Sequence, residues 1–155
     1  MSDPKANSYQ VGGRHYKTAY EHWDLVVNVA MGYIEGNATK YIARWRQKGG
    51  LNDLQKALHY VNKLIERKTE ALLTRRVNNI LGKEWVLCEV NRFCEINRLA
   101  GPERRIIEGL ASWRSADDLV AVRDDITMLM EQLDAGAAAV PLTEENKHAL
   151  MDQEG

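Results

Sequence analysis

Apolar residues recur along most of this chain at three- and four-residue intervals, the period of a helix packed on one side. Leu25, Val26, Val29, Ala30, Tyr33 and Ile34 open the series, and Ala38, Tyr41, Ile42 and Trp45 continue it. Residues 22–48 therefore predict one helical arm, with an end or kink at Gly36, where glycine costs roughly 1 kcal/mol relative to alanine. Gly49-Gly50 supplies a stop, and Asn52 a side-chain cap for the next helix. Leu54, Ala57, Leu58, Val61, Leu64 and Ile65 give the sharpest amphipathic stripe, and Leu72, Leu73, Val77, Ile80 and Leu81 prolong it to Gly82. The arms 22–48 and 52–81 together predict a helical hairpin.

Beyond the hairpin, residues 84–99 carry Val86, Leu87, Val90, Phe93 and Cys94 at helical spacing, with Gly101 ending the run. Pro102 suits the first turn of a short helix bearing Ile106, Ile107, Leu110 and Trp113. Ser115-Ala-Asp-Asp118 reads as a capping box with Asp in place of Glu, opening a helix through Leu119, Val122, Ile126, Leu129, Met130 and Leu133. No alternating strand pattern occurs. The expected fold is all-α, the hairpin packed with further C-terminal helices. Residues 1–134 are expected as a single domain, with an irregular N-terminal arm broken by Gly12-Gly13 and a helical extension over 84–134. Residues 135–155 are expected as a flexible tail.

Composition is that of a globular protein: 155 residues, 45% hydrophobic and 28% charged. No apolar run approaches the ~18 residues of a spanning helix, so no membrane partner is expected. The opening MSDPKANSYQ lacks a charged-then-apolar leader, which points to a cytoplasmic location. Cys88 and Cys94 lie about 120° apart on a helix and are expected as small core residues in a reducing compartment. Net charge of −1 makes nucleic acid an unlikely partner. The charge is unevenly spread, however. Residues 36–68 hold eight basic residues against two acidic ones, whereas residues 103–155 hold five against twelve. That asymmetry predicts an anionic ligand at the first half, or head-to-tail contacts in a homo-oligomer.

Asn37, Lys40, Arg44 and Lys48 fall within about 80° of one another on a helix. Like charges at that spacing repel, and a bound phosphate would relieve them. Arg44 suits a bidentate grip on an oxyanion and Lys40 a point charge. Asp53, Lys56, Tyr60 and Lys63 form a matching row on the second arm. In an antiparallel hairpin the rows approach, and Asp53 pairs with Arg44 or Lys48, or else holds a magnesium-bound nucleotide. His15, beside Tyr16, is a candidate proton carrier or phosphate ligand. Trp23 and Trp45 are candidates to stack a base, or else core residues. Pattern alone favours a solvated face over a phosphate platform. No P-loop, zinc-ligand, serine-hydrolase or kinase signature is present, and no EExxE cluster of the helical pyrophosphohydrolase kind; no protein-held metal is expected.

The order His15-Tyr16, then a helix, then Gly36-Asn37, Lys40-Tyr41, Arg44, Lys48-Gly-Gly, Asp53-Leu54, Lys56-Ala57 and Tyr60 resembles a small domain family found in many bacteriophage proteins (the SaV-like, DUF3310-type domain). The resemblance covers residues 12–67. Its characterised kind includes a nucleotide kinase of T-seven-like coliphages, an oligomer that phosphorylates dGMP and dTMP without a Walker loop. The resemblance thus implies a deoxynucleoside monophosphate kinase-like enzyme using ATP with Mg²⁺. It implies His15, Arg44 and Asp53 as catalytic residues, with Tyr16, Asn37, Lys40, Tyr41, Lys48, Lys56 and Tyr60 binding ligand. That kinase carries its extra length before the shared domain, whereas here residues 68–155 follow it, so the activity need not carry over. Two alternatives stay open. One is a non-catalytic oligomer that sequesters a nucleotide or cyclic-nucleotide signal; the other is a basic hairpin docking on an acidic partner. The resemblance falls on the stripe itself and turns the expectation toward a phosphate platform.

Overall fold

The computed structural model describes residues 18–68, 81–99 and 101–139, and among them every regular element is a helix. Six follow in order: α1 (His22–Asn28), α2 (Tyr33–Arg44), α3 (Gly50–Glu66), α4 (Lys83–Ile96), α5 (Gly101–Ser112) and α6 (Ala116–Ala139). Helix α2 packs against α3 and α5, α6 covers α3 and α5, and α4 joins α5 to α1. One apolar core runs through all six, from Leu25 through Ile42, Leu54, Phe93 and Ile107 to Ile126, each at most 1% exposed.

The first arm is two helices, and the break falls at Val29–Gly32 rather than at Gly36. Ala30 takes a left-handed φ of 51°. Its amide bonds to the Val27 carbonyl at 3.2 Å and that of Met31 to Val26 at 2.9 Å, the paired bonds of a Schellman cap. Gly36 lies buried inside α2 beside Val26. The same cap closes α4 through Arg98, with φ of 55°, so that helix stops at Ile96, short of the predicted 99.

Between α2 and α3 the two glycines have separate reasons. Gly50 adopts φ of 51°, which a side chain would strain, and its amide reaches the Trp45 carbonyl at 2.8 Å. A Cβ at Gly49 would stand 2.1–2.4 Å from the carboxylate of Asp53, so the glycine is what lets that side chain fold back. Gly49, not Asn52, caps α3; Asn52 sits exposed inside the helix. Helix α3 ends at Glu66, where Arg67 leaves helical dihedrals, and the predicted extension over 69–80 lies outside the described residues.

Ser115 and Asp118 form the predicted box, with the Asp118 amide donating to Ser115 Oγ at 3.2 Å and the Ser115 amide to Asp118 Oδ2 at 2.9 Å. Helix α6 continues to Ala139, past the point where a flexible tail was expected, and residues 140–155 lie outside the described residues. Cys94 is buried, and apolar burial raises its thiol to about 11. Cys88 is exposed, contrary to its expected core role: its neighbours Val86 and Val90 turn inward and leave it on the outer face.

Two indoles join α2 to α5 at opposite ends. Trp45 Nε1 donates to Glu103 Oε1 at 3.0 Å, and Trp113 Nε1 donates to Glu35 Oε1 at 3.0 Å. Both carboxylates are buried, at 0% and 3% exposure. Arg46 adds a 2.6 Å ion pair to Glu103. Glu103 Oε2 remains buried without a hydrogen bond.

Candidate functional site

Pairings between α2 and α3 show that they run antiparallel, which brings the two polar rows onto one face. Arg44 Nε donates to Asp53 Oδ2 at 2.9 Å and Nη2 to Oδ1 at 3.1 Å, a bidentate fork. Asp53 is 1% exposed and the Arg44 side chain 23% exposed, so the pair spans the boundary between core and solvent. Both carboxylate oxygens point at the guanidinium. Asp53 is thereby an orienting partner for Arg44.

The ring of Tyr41 is the centre of this face. Arg44 Cζ lies 4.7 Å from its centroid, Lys40 Nζ 5.0 Å and Lys56 Nζ 5.4 Å. Distances within about 6 Å let the ring's negative quadrupole offset the repulsion among three cations. Tyr60 stacks on Tyr41 with centroids 6.0 Å apart and planes inclined by 19°, and His59 meets Tyr60 edge-on at 6.4 Å. The Tyr60 phenol is raised above its ordinary value, first by lost hydration and then by the neighbouring phenols of Tyr33 and Tyr41. The result is an aromatic slab edged by positive charge.

The other predicted residues divide. Asn37 lies on the same face of α2 and donates its amide to the Tyr33 carbonyl at 2.8 Å. Lys48 is exposed in the turn after α2 ends at Arg44, beyond the helical stripe, although its own amide still bonds to the Arg44 carbonyl at 3.0 Å. His15 and Tyr16 lie outside the described residues. Trp45 is buried and Trp23 is 47% exposed on α1, so neither joins the slab.

Two residues of the neighbourhood escaped the sequence reading. Tyr33, counted there as apolar core, is 79% exposed and stands close enough to Tyr60 for its phenol to help raise that of Tyr60. Its spacing of four from Asn37 and eight from Tyr41 places it on the same face and was the available signal. His22 bonds through Nε2 to Thr39 Oγ1 at 2.8 Å, and its ring meets Phe93 edge-on. Desolvation first, and then the charge of Lys40, lower its pKa to about 4. It is therefore a neutral imidazole at physiological pH. Among the described residues no group of three or more His, Cys, Asp or Glu side chains is placed to hold a metal ion. No helix among them is long and apolar enough to cross a membrane.

Residues 12–62, the segment that carries α1, α2 and most of α3, match the sequence family described as protein of unknown function (DUF3310). No curated protein and no solved structure matches the chain. The match supports a DUF3310-type domain over that segment.

Proposed function

We propose that this protein binds a nucleotide on the α2–α3 face, with the base against the tyrosine slab and the phosphates among Lys40, Arg44 and Lys56. The observation that carries the reading is the gathering of three cations around one tyrosine ring that itself stacks on a second. A nucleotide combines the two complementary features, a planar π system and a compact polyanion. Arg44, fixed by Asp53, meets an oxyanion at little further cost in side-chain entropy.

A kinase-type activity, suggested by the likeness to a phage domain family, would transfer the γ-phosphoryl of ATP to a deoxynucleoside monophosphate at this same face, releasing ADP and a diphosphate. Phosphoryl transfer relies on positioning and charge, which the cations supply. The described residues offer no carboxylate cluster for magnesium, and Asp53 is engaged by Arg44. Binding needs only the slab and its three cations, and capture without turnover is therefore the simpler reading. Cytoplasmic nucleotide capture by a homo-oligomer, with basic and acidic regions of neighbouring subunits in contact, fits the charge asymmetry.

Calorimetry with ATP, each deoxynucleoside monophosphate and a cyclic dinucleotide, in Mg²⁺ and in EDTA, tests the reading, followed by chromatography of the recovered ligand. Binding that persists in EDTA with unaltered ligand is expected, weakened about tenfold or more by Lys40→Ala or Lys56→Ala. A diphosphate product would establish the kinase instead. Absence of binding to every nucleotide would overturn both and leave a protein-docking face.

A further inference from the structure

Away from the tyrosine face, the end of α5, the start of α6 and the first residue of α4 enclose an open cleft of about 410 Å³. Its walls carry Lys83, Arg105, Arg114, Asp118 and Asp125, over a floor that includes Trp113. The charges are not equally available. Asp118 accepts from the amides of Arg114 at 2.8 Å and Ser115 at 2.9 Å. Those bonds, with help from Lys83, hold its carboxyl below the usual carboxylate range. Asp125 faces Arg105 at 3.8 Å. Both acids are thus partnered within the wall. The Lys83 ammonium and the Arg114 guanidinium make no hydrogen bond and no ion pair within 4 Å among the described residues, although the charge of Lys83 reaches Asp118 and both cations line the same hollow.

We infer that this cleft is a second ligand site, for a small anion of two or more charges carrying phosphate or carboxylate groups. Two cations that line one concave site, neither in a close ion pair among the described residues, bind such a group more strongly than either does on an open surface, because the walls exclude part of the screening water. Arg114 supplies a planar fork and Lys83 a mobile point charge, the pairing that phosphate and carboxylate both accept. This site shares no side chain with the α2–α3 face and stands independently of the nucleotide reading.

The test is titration of the full ¹⁵N-labelled chain with sodium pyrophosphate and, separately, with malonate, following the indole N–H of Trp113. Its hydrogen bond to Glu35 and its place on the cleft floor make that resonance a local reporter. We expect saturable shifts with at least one of these two anions, weakened about tenfold or more by Lys83→Ala or Arg114→Ala and unchanged by Lys40→Ala with Lys56→Ala. Response to pyrophosphate alone assigns a phosphate-bearing ligand; response to malonate alone assigns a carboxylate. No shift of the Trp113 indole at millimolar concentrations of either, or shifts that survive both cleft substitutions, would overturn the inference. Lys83 and Arg114 are exposed, so their removal leaves the core intact.

Discussion

Asp53 concentrates the chemistry of this protein into one side chain: it is buried, ionic, and turned back over a glycine to hold Arg44. Asp53→Asn keeps the volume but removes the charge that faces the guanidinium. Breaking a buried pair from one side costs about 3–5 kcal/mol, and partial exposure of Arg44 puts this case at or below the lower end. Urea unfolding should show a loss of about 2–3 kcal/mol, together with weaker nucleotide binding as Arg44 loses its orientation. An unchanged midpoint would mean that the pair is not formed in solution. His22 gives a second prediction at this scale. Its imidazole falls from an ordinary 6.5 to about 4 in the fold. The unfolded chain therefore holds the proton more tightly. The associated stability is complete above about 6.5 and is lost as pH falls toward 4, by on the order of 3 kcal/mol. Thermal melts between pH 7 and 4 should show this decline, and His22→Gln should flatten it; an identical slope in the variant would assign the loss to other groups.

At the scale of elements, Ala30 and Arg98 both occupy left-handed caps without being glycine. A left-handed residue with a Cβ carries about 1–2 kcal/mol of strain, and glycine returns part of that through a looser unfolded chain. Ala30→Gly and Arg98→Gly should each stabilise by about 0.5–1 kcal/mol in chemical denaturation; destabilisation would show that the side chains compensate through contacts. These two caps also explain what the sequence concealed. Gly36 drew the predicted kink because glycine usually marks helix ends, yet the chain breaks at an alanine that carries no such mark. The hairpin, by contrast, was legible. Its stripe of Leu54, Ala57, Val61 and Leu64 is fully buried. The meeting of Asp53 with Arg44 was one of the outcomes that spacing and an antiparallel turn offered, beside Lys48 and a magnesium-bound nucleotide. The Ser115–Asp118 box was equally visible, because a cap depends on residues only three apart. Glu103 was not, since its role comes from a tertiary neighbour that no local period encodes, whereas Tyr33 carried a signal in its spacing from Asn37 and Tyr41 that its apolar reading hid.

For the whole molecule, the consequence lies in the two indole bonds that join α2 to α5 at opposite ends. A helix held at both termini cannot fray by itself. Its opening has to release the partner as well, and with it the shared core of Ile42, Ile107 and Leu110. Hydrogen–deuterium exchange should accordingly give the amides of Ile42 and Ala43 the same opening free energy as those of Ile107 and Leu110, near the global value. Exchange in α2 a hundredfold faster than in α5 would contradict that linkage. With exchange of that kind, the tyrosine face is mounted on the last part of the fold to open rather than on a lid. A ligand that settles there reports its affinity as a higher melting temperature of the entire chain.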